Sequence, residues 1–316
     1  MMVDWVSAKI PLSHEKPIHG GQVVSYDANG EFEFSTAKRL SVEGSYSGKV
    51  TIRTLHTGID GEIEFSGNPV KFLKGHNLYG STDIIGLMKH ALERIFRDLR
   101  ITPTPANWQA ILNGEYSLSR VDINKMIAMG SRAEVLAWIR VTSHASRSRH
   151  KSGGILRGDT LYFGKHSRRW AMKLYSKGQE IEVNGHQLPD LPSRDLLTQW
   201  AQDKLRWELV LRGAELRKQG IHTAATFVKA DLCALFDSYK QRITIPKNEE
   251  LPTATINQLP RHLRSTYTLW KSGEDPRQLL SKNTFYRHRR LLFAHGIDIS
   301  ICTTLPNQKT HLQANH

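Results

Sequence analysis

The stretch TLYFGKHSRRWAMKLYSKGQEI, residues 160–181, contains two strand patterns separated by a basic turn. Because successive side chains of a strand point to opposite faces, the second pattern divides into an apolar and a polar set. The apolar set is Trp170, Met172 and Leu174. The polar set is Lys173, Tyr175 and Lys177. The pattern therefore places a tyrosine between two lysines on one face of a predicted strand, which indicates either ordinary packing or a chemical site.

Two further predicted strands divide in the same way. In LSRVDIN, residues 118–124, the polar face holds Asp122. In KLRWELVLR, residues 204–212, the polar face holds Glu208, opposite a row of leucine and tryptophan side chains. If the three strands share one sheet, these two carboxylates converge with Tyr175 on its polar face.

Such a face has the groups needed for phosphoryl transfer to tyrosine. A phenol with a pKa of about 10 is a weak nucleophile when neutral, and nearby cations favour its phenolate. Lys173 and Lys177 are the predicted cations. Asp122 and Glu208 offer the oxygen ligands that Mg²⁺ or Mn²⁺ prefer, and such an ion polarises a phosphate.

The residues by themselves leave simpler interpretations open. Tyr175 could be a packing residue of a half-exposed strand, and Glu208 a surface ion-pair partner. Asp122 could be a turn or cap residue. The pattern alone therefore indicates a basic DNA-binding protein or a metal-dependent nuclease.

The net charge indicates the kind of partner. The 316 residues include 44 Lys+Arg and 30 Asp+Glu, which gives a formal charge of +14. Such an excess is typical of proteins that bind polyanions, because each phosphate contact releases condensed counterions. The basic residues are also clustered. The predicted DNA contacts are Arg147, Arg149, Lys151, Lys165, Arg168, Arg169, Arg206, Arg287 and Arg290.

The cysteine content and the apolar runs exclude several classes of protein. Cys233 and Cys302 are the only cysteines and neither lies in a CxxC, which excludes a thiolate zinc site or a disulfide framework. No apolar run approaches the ~18 residues of a membrane span. The first residues lack the basic start and apolar core of a signal peptide. We therefore expect a cytoplasmic protein with no membrane partner.

The order of the patterns predicts two domains. Four strand patterns (GQVVSYD, EFEFSTA, KVTIRTL and GEIEFSG) fall within residues 1–75, and helical and strand patterns alternate beyond them. We predict an α+β fold over residues 1–245, with a central, mainly antiparallel sheet and helices packed on one face. Residues 246–260, rich in Pro, Thr and acidic residues, are the predicted linker. Residues 261–316 are predicted to form a small all-helical, helix-turn-helix-like domain.

The last helical pattern, residues 282–294, is the predicted recognition helix. The residues expected to face DNA are Lys282, Asn283, Arg287, His288 and Arg290. Those expected to face the core are Phe285, Leu291 and Leu292. The alternative is a helical domain whose basic face contacts phosphates without reading sequence.

Four segments resemble, in order, the replication initiation proteins of filamentous phages of the gene II/X type. They are KFLKGHNLYGSTDI (71–84), LSRVDI (118–123), LRWELVLRGAELRKQG (205–220) and TFYRHRRLLFAHGIDI (284–299). The stretch TLYFG…KLYSKGQE is also similar to the Tyr-x-Lys motif of rolling-circle plasmid initiators. Together these segments extend over most of the chain.

The resemblance implies a metal-dependent endonuclease and strand transferase that nicks one strand of a supercoiled double-stranded origin. The 5′ phosphate is captured on a tyrosine, and the free 3′-OH primes rolling-circle synthesis. The resemblance assigns the nucleophile to Tyr175 and the metal ligands to Asp122 and Glu208. The partners that it implies are origin DNA, the displaced single strand, and a helicase and polymerase in the cytoplasm of a bacterial host.

The chain departs from many rolling-circle initiators because it contains no His-hydrophobic-His pair of metal ligands. His76, in the first of the four segments, is the candidate third ligand, although GHN between glycines is also a loop-forming sequence. Tyr162 on the strand TLYFG is the rival nucleophile. Two rival functions also stay open, namely a non-catalytic origin binder or repressor and a mobilisation relaxase.

Overall fold

The structure is a computed structural model that describes residues 1–145, 147–148, 154–157, 159–183, 186–244, 253–272, 274–295 and 297–299. Its strands are Met2–Pro11 (β1), Gln22–Tyr26 (β2), Phe32–Ala37 (β3), Leu40–Glu43 (β4), Lys49–His56 (β5), Glu62–Gly67 (β6), Ser117–Ala128 (β7), Arg147–Ser148 (β8), Ile155–Arg157 (β9), Thr160–Phe163 (β10), Trp170–Ser176 (β11), Lys204–Arg212 (β12) and Ile243–Thr244 (β13). Its α-helices are Pro69–Lys74 (α1), Ile84–Asp98 (α2), Pro105–Leu112 (α3), Arg132–Ala145 (α4), Lys177–Glu180 (α5), Arg194–Ala201 (α6), Gly213–Lys218 (α7), Ala224–Phe227 (α8), Leu232–Lys240 (α9), Thr253–Gln258 (α10), Arg261–Lys271 (α11), Pro276–Leu279 (α12) and Lys282–Phe293 (α13).

A nine-stranded sheet organises the first three quarters of the chain. Its strand order is β4-β5-β6-β1-β7-β12-β11-β10-β9. Every neighbouring pair is antiparallel. The prediction of a central antiparallel sheet with helices is confirmed, and the strands that carry Asp122, Glu208 and Tyr175 are adjacent in it.

Strand β1 lies in the interior of the sheet, where it pairs with β6 on one side and β7 on the other. None of the four strand patterns predicted in residues 1–75 covers it. Its burial explains the omission, because a strand buried on both faces lacks the clean alternation of apolar and polar residues that marks a half-exposed strand. Val3, Val6 and Ile10 are fully buried, and even Asp4 is only 7% exposed.

The main core lies between the sheet and helices α2–α4 and α7–α9. It receives the predicted apolar face of β12, including Trp207 and Leu209, and the apolar stripe of α2, including Met88 and Leu92. Asp83 caps the start of helix α2, since its side chain accepts a hydrogen bond from the Gly86 amide at 2.9 Å. A smaller apolar cluster, formed by α6 and by residues of the neighbouring connections such as Ile181 and Leu188, packs against Met126 of β7.

The C-terminal helices enclose a separate apolar cluster. One face of α11 is buried there, namely Leu263, Tyr267 and Trp270. Asp275 caps α12, and Pro276 occupies its first turn. The division into residues 1–245, 246–260 and 261–316 stays a prediction.

None of the helices in the described part of the chain combines the length and the apolar character that a membrane span requires.

Two side chains of α13 do not take the predicted positions. His288 is predicted to face DNA but is 4% exposed, with its Nδ1 2.9 Å from the Thr266 hydroxyl. Leu291 is predicted to lie in the core but is 38% exposed. The face of α13 that packs on α11 includes His288, and the Thr266 hydroxyl of α11 is its hydrogen-bond partner.

We expect acid to weaken the packing of α13 on α11. Burial, more than the charges of His262 and Arg287, lowers the pKa of His288 in the folded protein. Below about pH 6.5 this histidine is therefore protonated in the unfolded chain while it is still neutral in the folded one. Stability is therefore lost as the pH falls. Hydrogen exchange of α11 and α13 at neutral and mildly acidic pH should show this loss.

The matched control is His288→Gln, because glutamine can bond to Thr266 but cannot take up a proton. Its α11 and α13 amides should lose less protection on acidification than those of the wild type. Equal acid sensitivity in the two proteins would contradict a role for His288.

Candidate active site

Antiparallel pairing of β7, β12 and β11 brings the predicted groups together. Across β11 and β12, Lys173 lies opposite Glu208 and Tyr175 lies opposite Arg206. Strand β12 pairs in turn with β7, which carries Asp122. Residues opposite one another in an antiparallel pair point to the same face. The geometric convergence of the tyrosine and the two carboxylates is therefore present in the structure.

The Glu208 carboxylate connects these groups. Its Oε2 accepts a hydrogen bond from the Tyr175 hydroxyl at 3.1 Å, and its Oε1 accepts one from the Lys173 ammonium at 2.5 Å. Burial acts to raise the pKa of Glu208, but the charges of Lys173 and Arg206 outweigh it and lower the pKa to about 2. Glu208 is thus an anion at neutral pH that holds both the phenol and the ammonium in place.

The second carboxylate is in a different electrostatic state. Asp122 is 1% exposed, and its two oxygens accept hydrogen bonds from the Arg120 guanidinium at 2.7 and 2.6 Å. Burial, together with the neighbouring charge of Glu208, outweighs Arg120 and raises the pKa of Asp122 to about 7. Two carboxyl groups of one site therefore differ in their readiness to hold a proton.

The surroundings of Tyr175 differ from the prediction. Burial raises the pKa of its hydroxyl well above the usual value, and the cation that most opposes this shift is Arg206, 5.9 Å from the ring centroid. The predicted role of Lys173 and Lys177, to favour the phenolate, is wrong for this structure. Both ammonium groups bind carboxylates instead of the phenol.

A buried polar layer supports the tyrosine from below. Nη2 of Arg206 lies 2.7 Å from Oδ1 of Asp4, and Nη1 donates to the Asn77 carbonyl oxygen at 2.9 Å. Asp4 also accepts hydrogen bonds from the side-chain amides of Asn68 and Asn77, at 2.6 and 2.9 Å. Lys177 donates to Oδ1 of Asn77 at 2.8 Å. Because Arg206 is 0% exposed, its predicted contact with DNA is wrong.

Sequence analysis missed Asp4, Arg120 and the two asparagines of this layer. The signal for Asp4 is present, since an acidic residue interrupts an otherwise apolar stretch, MVDWV. A buried carboxylate needs a cationic partner, but the sequence does not say which of the many arginines provides it.

One open cavity of about 430 Å³ exposes these groups to solvent. The residues from the sheet that line it include Asp122, Lys173, Tyr175 and Glu208. Thus the tyrosine hydroxyl, two carboxylates and an ammonium group face a single space that is large enough for a small polar ligand.

The cavity wall also includes His76 and Tyr162. Burial, ahead of the charges of Lys74 and Lys177, lowers the pKa of His76, which favours the neutral imidazole that metal binding requires. The Tyr162 ring lies 5.3 Å from the ammonium of Lys165. Both candidates of the sequence analysis therefore border the same space as Tyr175.

Within the described part of the chain, no three His, Cys, Asp or Glu side chains are grouped closely enough to hold a metal ion. The donor chemistry of the cavity nevertheless fits a hard divalent cation. Asp122 and Glu208 both line the cavity, and burial together with the negative charge of Glu208 raises the pKa of Asp122, an effect that such a cation would offset. Arg120 and Lys173 bind the carboxylate oxygens of Asp122 and Glu208 in this structure, so a metal ion would have to share these oxygens with them.

Most of the remaining predicted DNA contacts lie at the surface. Arg168 and Arg169 are exposed in the turn between β10 and β11, and Lys165 in the same turn is half-buried. Arg287 and Arg290 are exposed on α13.

Three predicted DNA contacts fall in a part of the chain that the structure describes only in part. The backbone of Arg147 lies in β8, which pairs with β13. Arg149 and Lys151 lie outside the described residues.

The chain is similar to known replication proteins over most of its length. Residues 2–230 match the N-terminal family, and residues 251–311 the C-terminal family, of the phage gene II replication-associated protein. The chain is 34% identical over 305 residues to the replication-associated protein of Enterobacteria phage I2-2, with 95% of this chain and 88% of that protein covered. It is also similar to the rolling circle replication initiator protein from Geobacillus stearothermophilus, with a TM-score of 0.34 and 15% identity over 82% of this chain and 90% of that one.

The two family matches and the phage relative define a class, the replication-associated proteins of phages. The chain belongs to the gene II replication-associated protein family, since the family match of its N-terminal part alone covers well over half of its length. The predicted resemblance to filamentous-phage replication initiation proteins is thus confirmed.

We expect Arg206→Met to destabilise the protein strongly, because it leaves Asp4 buried without its cation. Removal of one partner of a buried ion pair costs about 3–5 kcal/mol in the free energy of unfolding. Urea denaturation should show this loss, and Arg206→Met combined with Asp4→Asn should recover part of it.

The control is Arg97→Met, which removes an arginine whose side chain is 74% exposed and which pairs with Asp98. It should change the free energy of unfolding by less than about 1 kcal/mol. An equally small loss for Arg206→Met would show that the buried layer does not hold the site together.

Proposed function

We propose that this protein is a site-specific, metal-dependent DNA endonuclease and strand transferase that uses Tyr175 as its nucleophile. The observation that carries the proposal is the hydrogen bond from the Tyr175 hydroxyl to Glu208, inside a cavity that Asp122 also lines. A phenol held by a carboxylate has a proton acceptor in place, and the cavity gives a phosphate access to its oxygen.

The reaction proposed is a transesterification at one phosphodiester of a supercoiled origin. The phenol transfers its proton to Glu208, and the phenolate oxygen forms a bond to phosphorus. The bond from phosphorus to the 3′ oxygen breaks, so the 5′ phosphate stays on Tyr175. The leaving 3′ oxygen takes up one proton, the proton that Glu208 accepted, and becomes a free 3′-OH. Because the phosphodiester energy is retained, the reverse reaction with another 3′-OH can reseal the strand.

Proton transfer from Tyr175 needs help from positive charge. The raised pKa of the phenol and the low pKa of Glu208 make the transfer unfavourable in the DNA-free site. Arg206, buried beneath the ring, acts in the direction that stabilises the phenolate. Lys173 holds the Glu208 carboxylate opposite the hydroxyl.

Mg²⁺ or Mn²⁺ is the proposed cofactor. Asp122 and Glu208 would hold it through carboxylate oxygens, and His76 lies on the same cavity wall as a neutral nitrogen ligand. Such an ion would neutralise charge on the phosphate. The chain itself contributes the two carboxylates, each already bound by a cation: Asp122 by Arg120 of the same strand, and Glu208 by Lys173 of the neighbouring strand.

The partners proposed follow from the reaction. Double-stranded origin DNA is the substrate, and the displaced single strand returns for cleavage and rejoining. A host helicase and polymerase would extend the 3′-OH, in the cytoplasm of the bacterial host. In this proposal, residues 1–245 perform the chemistry and residues 261–316 bind DNA, joined by residues 246–260.

We expect Tyr175→Phe to retain origin binding and to lose the covalent adduct. Removal of a nucleophile lowers the rate by a factor of about 10⁴ or more. Supercoiled plasmid with the origin, incubated with protein and Mn²⁺, should stay supercoiled, and no protease-sensitive block should appear at a 5′ end. Relaxation at the wild-type rate would exclude Tyr175.

Two further tyrosine variants sharpen this test. Tyr239→Phe is the matched control, because the Tyr239 hydroxyl also donates to a buried carboxylate, Glu215 at 2.5 Å, but lies outside the cavity. It should nick normally. Tyr162→Phe tests the rival nucleophile. If neither Tyr175→Phe nor Tyr162→Phe loses activity while DNA binding persists, a nucleophile in this cavity is excluded, and wild-type protein that binds but never nicks would be a non-catalytic origin binder.

We expect Glu208→Gln to bind origin DNA and to lose metal-dependent cleavage. The amide preserves the size of the side chain but neither accepts the phenol proton nor provides an anionic metal ligand. Glu215→Gln is the control, since Glu215 is equally buried yet binds Arg169 and Tyr239 away from the cavity. Unchanged cleavage by Glu208→Gln would remove this residue from the site.

A further inference from the structure

A second cavity lies between α4 and the C-terminal helices. Its volume is about 410 Å³. The residues that line it are Ala137, Arg140, Arg277, Lys282, Phe285, Tyr286 and Arg289. None of them lines the cavity of Tyr175, and only Lys282 among them is predicted from the sequence to face DNA.

The walls of this cavity are strongly basic. Four of its side chains are cationic, and no carboxylate is among the described residues that line it. The Arg289 guanidinium donates two hydrogen bonds to the Asp298 carboxylate, both at 2.8 Å. The Arg140 guanidinium lies 3.8 Å from a carboxylate oxygen of Asp159. The cavity thus collects positive charge with some of its arginines already oriented, which favours a bound polyanion.

Aromatic rings stand beside these charges. Tyr286 is 54% exposed, although a large aromatic side chain gains by burial. Its ring makes an edge contact with Phe285, at a centroid distance of 5.4 Å, and the Arg277 guanidinium lies 5.7 Å from the Phe285 centroid. The cavity therefore offers an exposed ring face next to groups that bind phosphate.

We propose that this cavity binds single-stranded DNA. Basic groups beside an exposed aromatic ring are typical of single-strand sites, where phosphates contact the basic groups and an unpaired base stacks on the ring. Here the exposed ring is that of Tyr286, because Phe285 is buried. In a duplex each base is already stacked and paired, so Tyr286 would have no base to contact. The phosphates would meet Arg140, Lys282 and Arg289, and Tyr286 would stack against a base.

This inference deepens the proposed function, because rolling-circle nicking displaces a single strand that must return to the same protein. A site formed by α4 and α13 would hold that strand away from the cavity where Tyr175 reacts. Binding to an oligonucleotide does not require nicking, so failure of the nicking proposal and failure of this one are distinguishable.

Fluorescence anisotropy with a labelled oligothymidylate, and with a duplex of equal length, tests the proposal on the full chain. Tyr286→Leu should weaken oligothymidylate binding by about tenfold or more, since a base that stacks on an aromatic ring contributes strongly to affinity. Lys282→Gln should reduce the slope of log K against log salt by about 0.7, the share of one phosphate contact in single-strand binding. Duplex binding should change much less in both variants.

The controls carry the same substitutions outside the cavity. Tyr26→Leu removes a tyrosine that is 61% exposed on β2, and Lys229→Gln removes an exposed lysine before α9. Both should bind oligothymidylate like the wild type, and circular dichroism should confirm that all four variants are folded. Wild-type affinity in Tyr286→Leu and Lys282→Gln, or an equal loss for the duplex, would overturn the proposal.

Discussion

The Lys173 ammonium and the Tyr175 hydroxyl both bind the carboxylate of Glu208 across the pairing of β11 and β12. The register of these strands is therefore the constraint on which the candidate active site depends. A shift of one residue would turn the polar face of one strand toward the apolar core and separate Glu208 from Lys173 and Tyr175. The apolar residues on the other face fix that register, because Trp207 and Leu209 are buried in the main core.

The placement of the site inside the sheet has an energetic consequence. Charged groups taken from water are stable only when they are paired, and the chain meets this condition with connected ion pairs rather than with isolated charges. Glu208 pairs with Lys173, Asp122 with Arg120, and Asp4 with Arg206. These pairs surround Tyr175, but they do not stabilise its phenolate enough to offset burial, and the pKa of its hydroxyl is therefore raised.

The two cavities differ in chemistry and therefore in the role proposed for each. The first presents acidic groups and a phenol, which suit a metal ion and a reacting phosphate, while the second presents cations and rings, which suit the retention of a strand. The C-terminal cluster contributes to the second cavity through α12 and α13. His288 lies inside that cluster rather than on the DNA side, so the basic character of α13 is carried by its other faces.

The sequence by itself determined the class of fold and the polar faces that carry three groups of the first site. Alternation along residues 118–124, 170–176 and 204–212 was enough to place Asp122, Tyr175 and Glu208 on polar faces, because the two-residue period of a strand is a local property. It did not reveal β1, whose two buried faces remove that alternation. Nor did it reveal the partners of buried charges, which lie as far apart in the chain as Arg206 and Asp4. Only the tertiary structure decided that Lys173 and Lys177 neutralise carboxylates and that Arg206 is the cation beneath the tyrosine. The physical reason is that a buried charge is stable only beside an opposite charge. Which residue provides that charge depends on distances in the folded chain, and a local sequence pattern does not contain them.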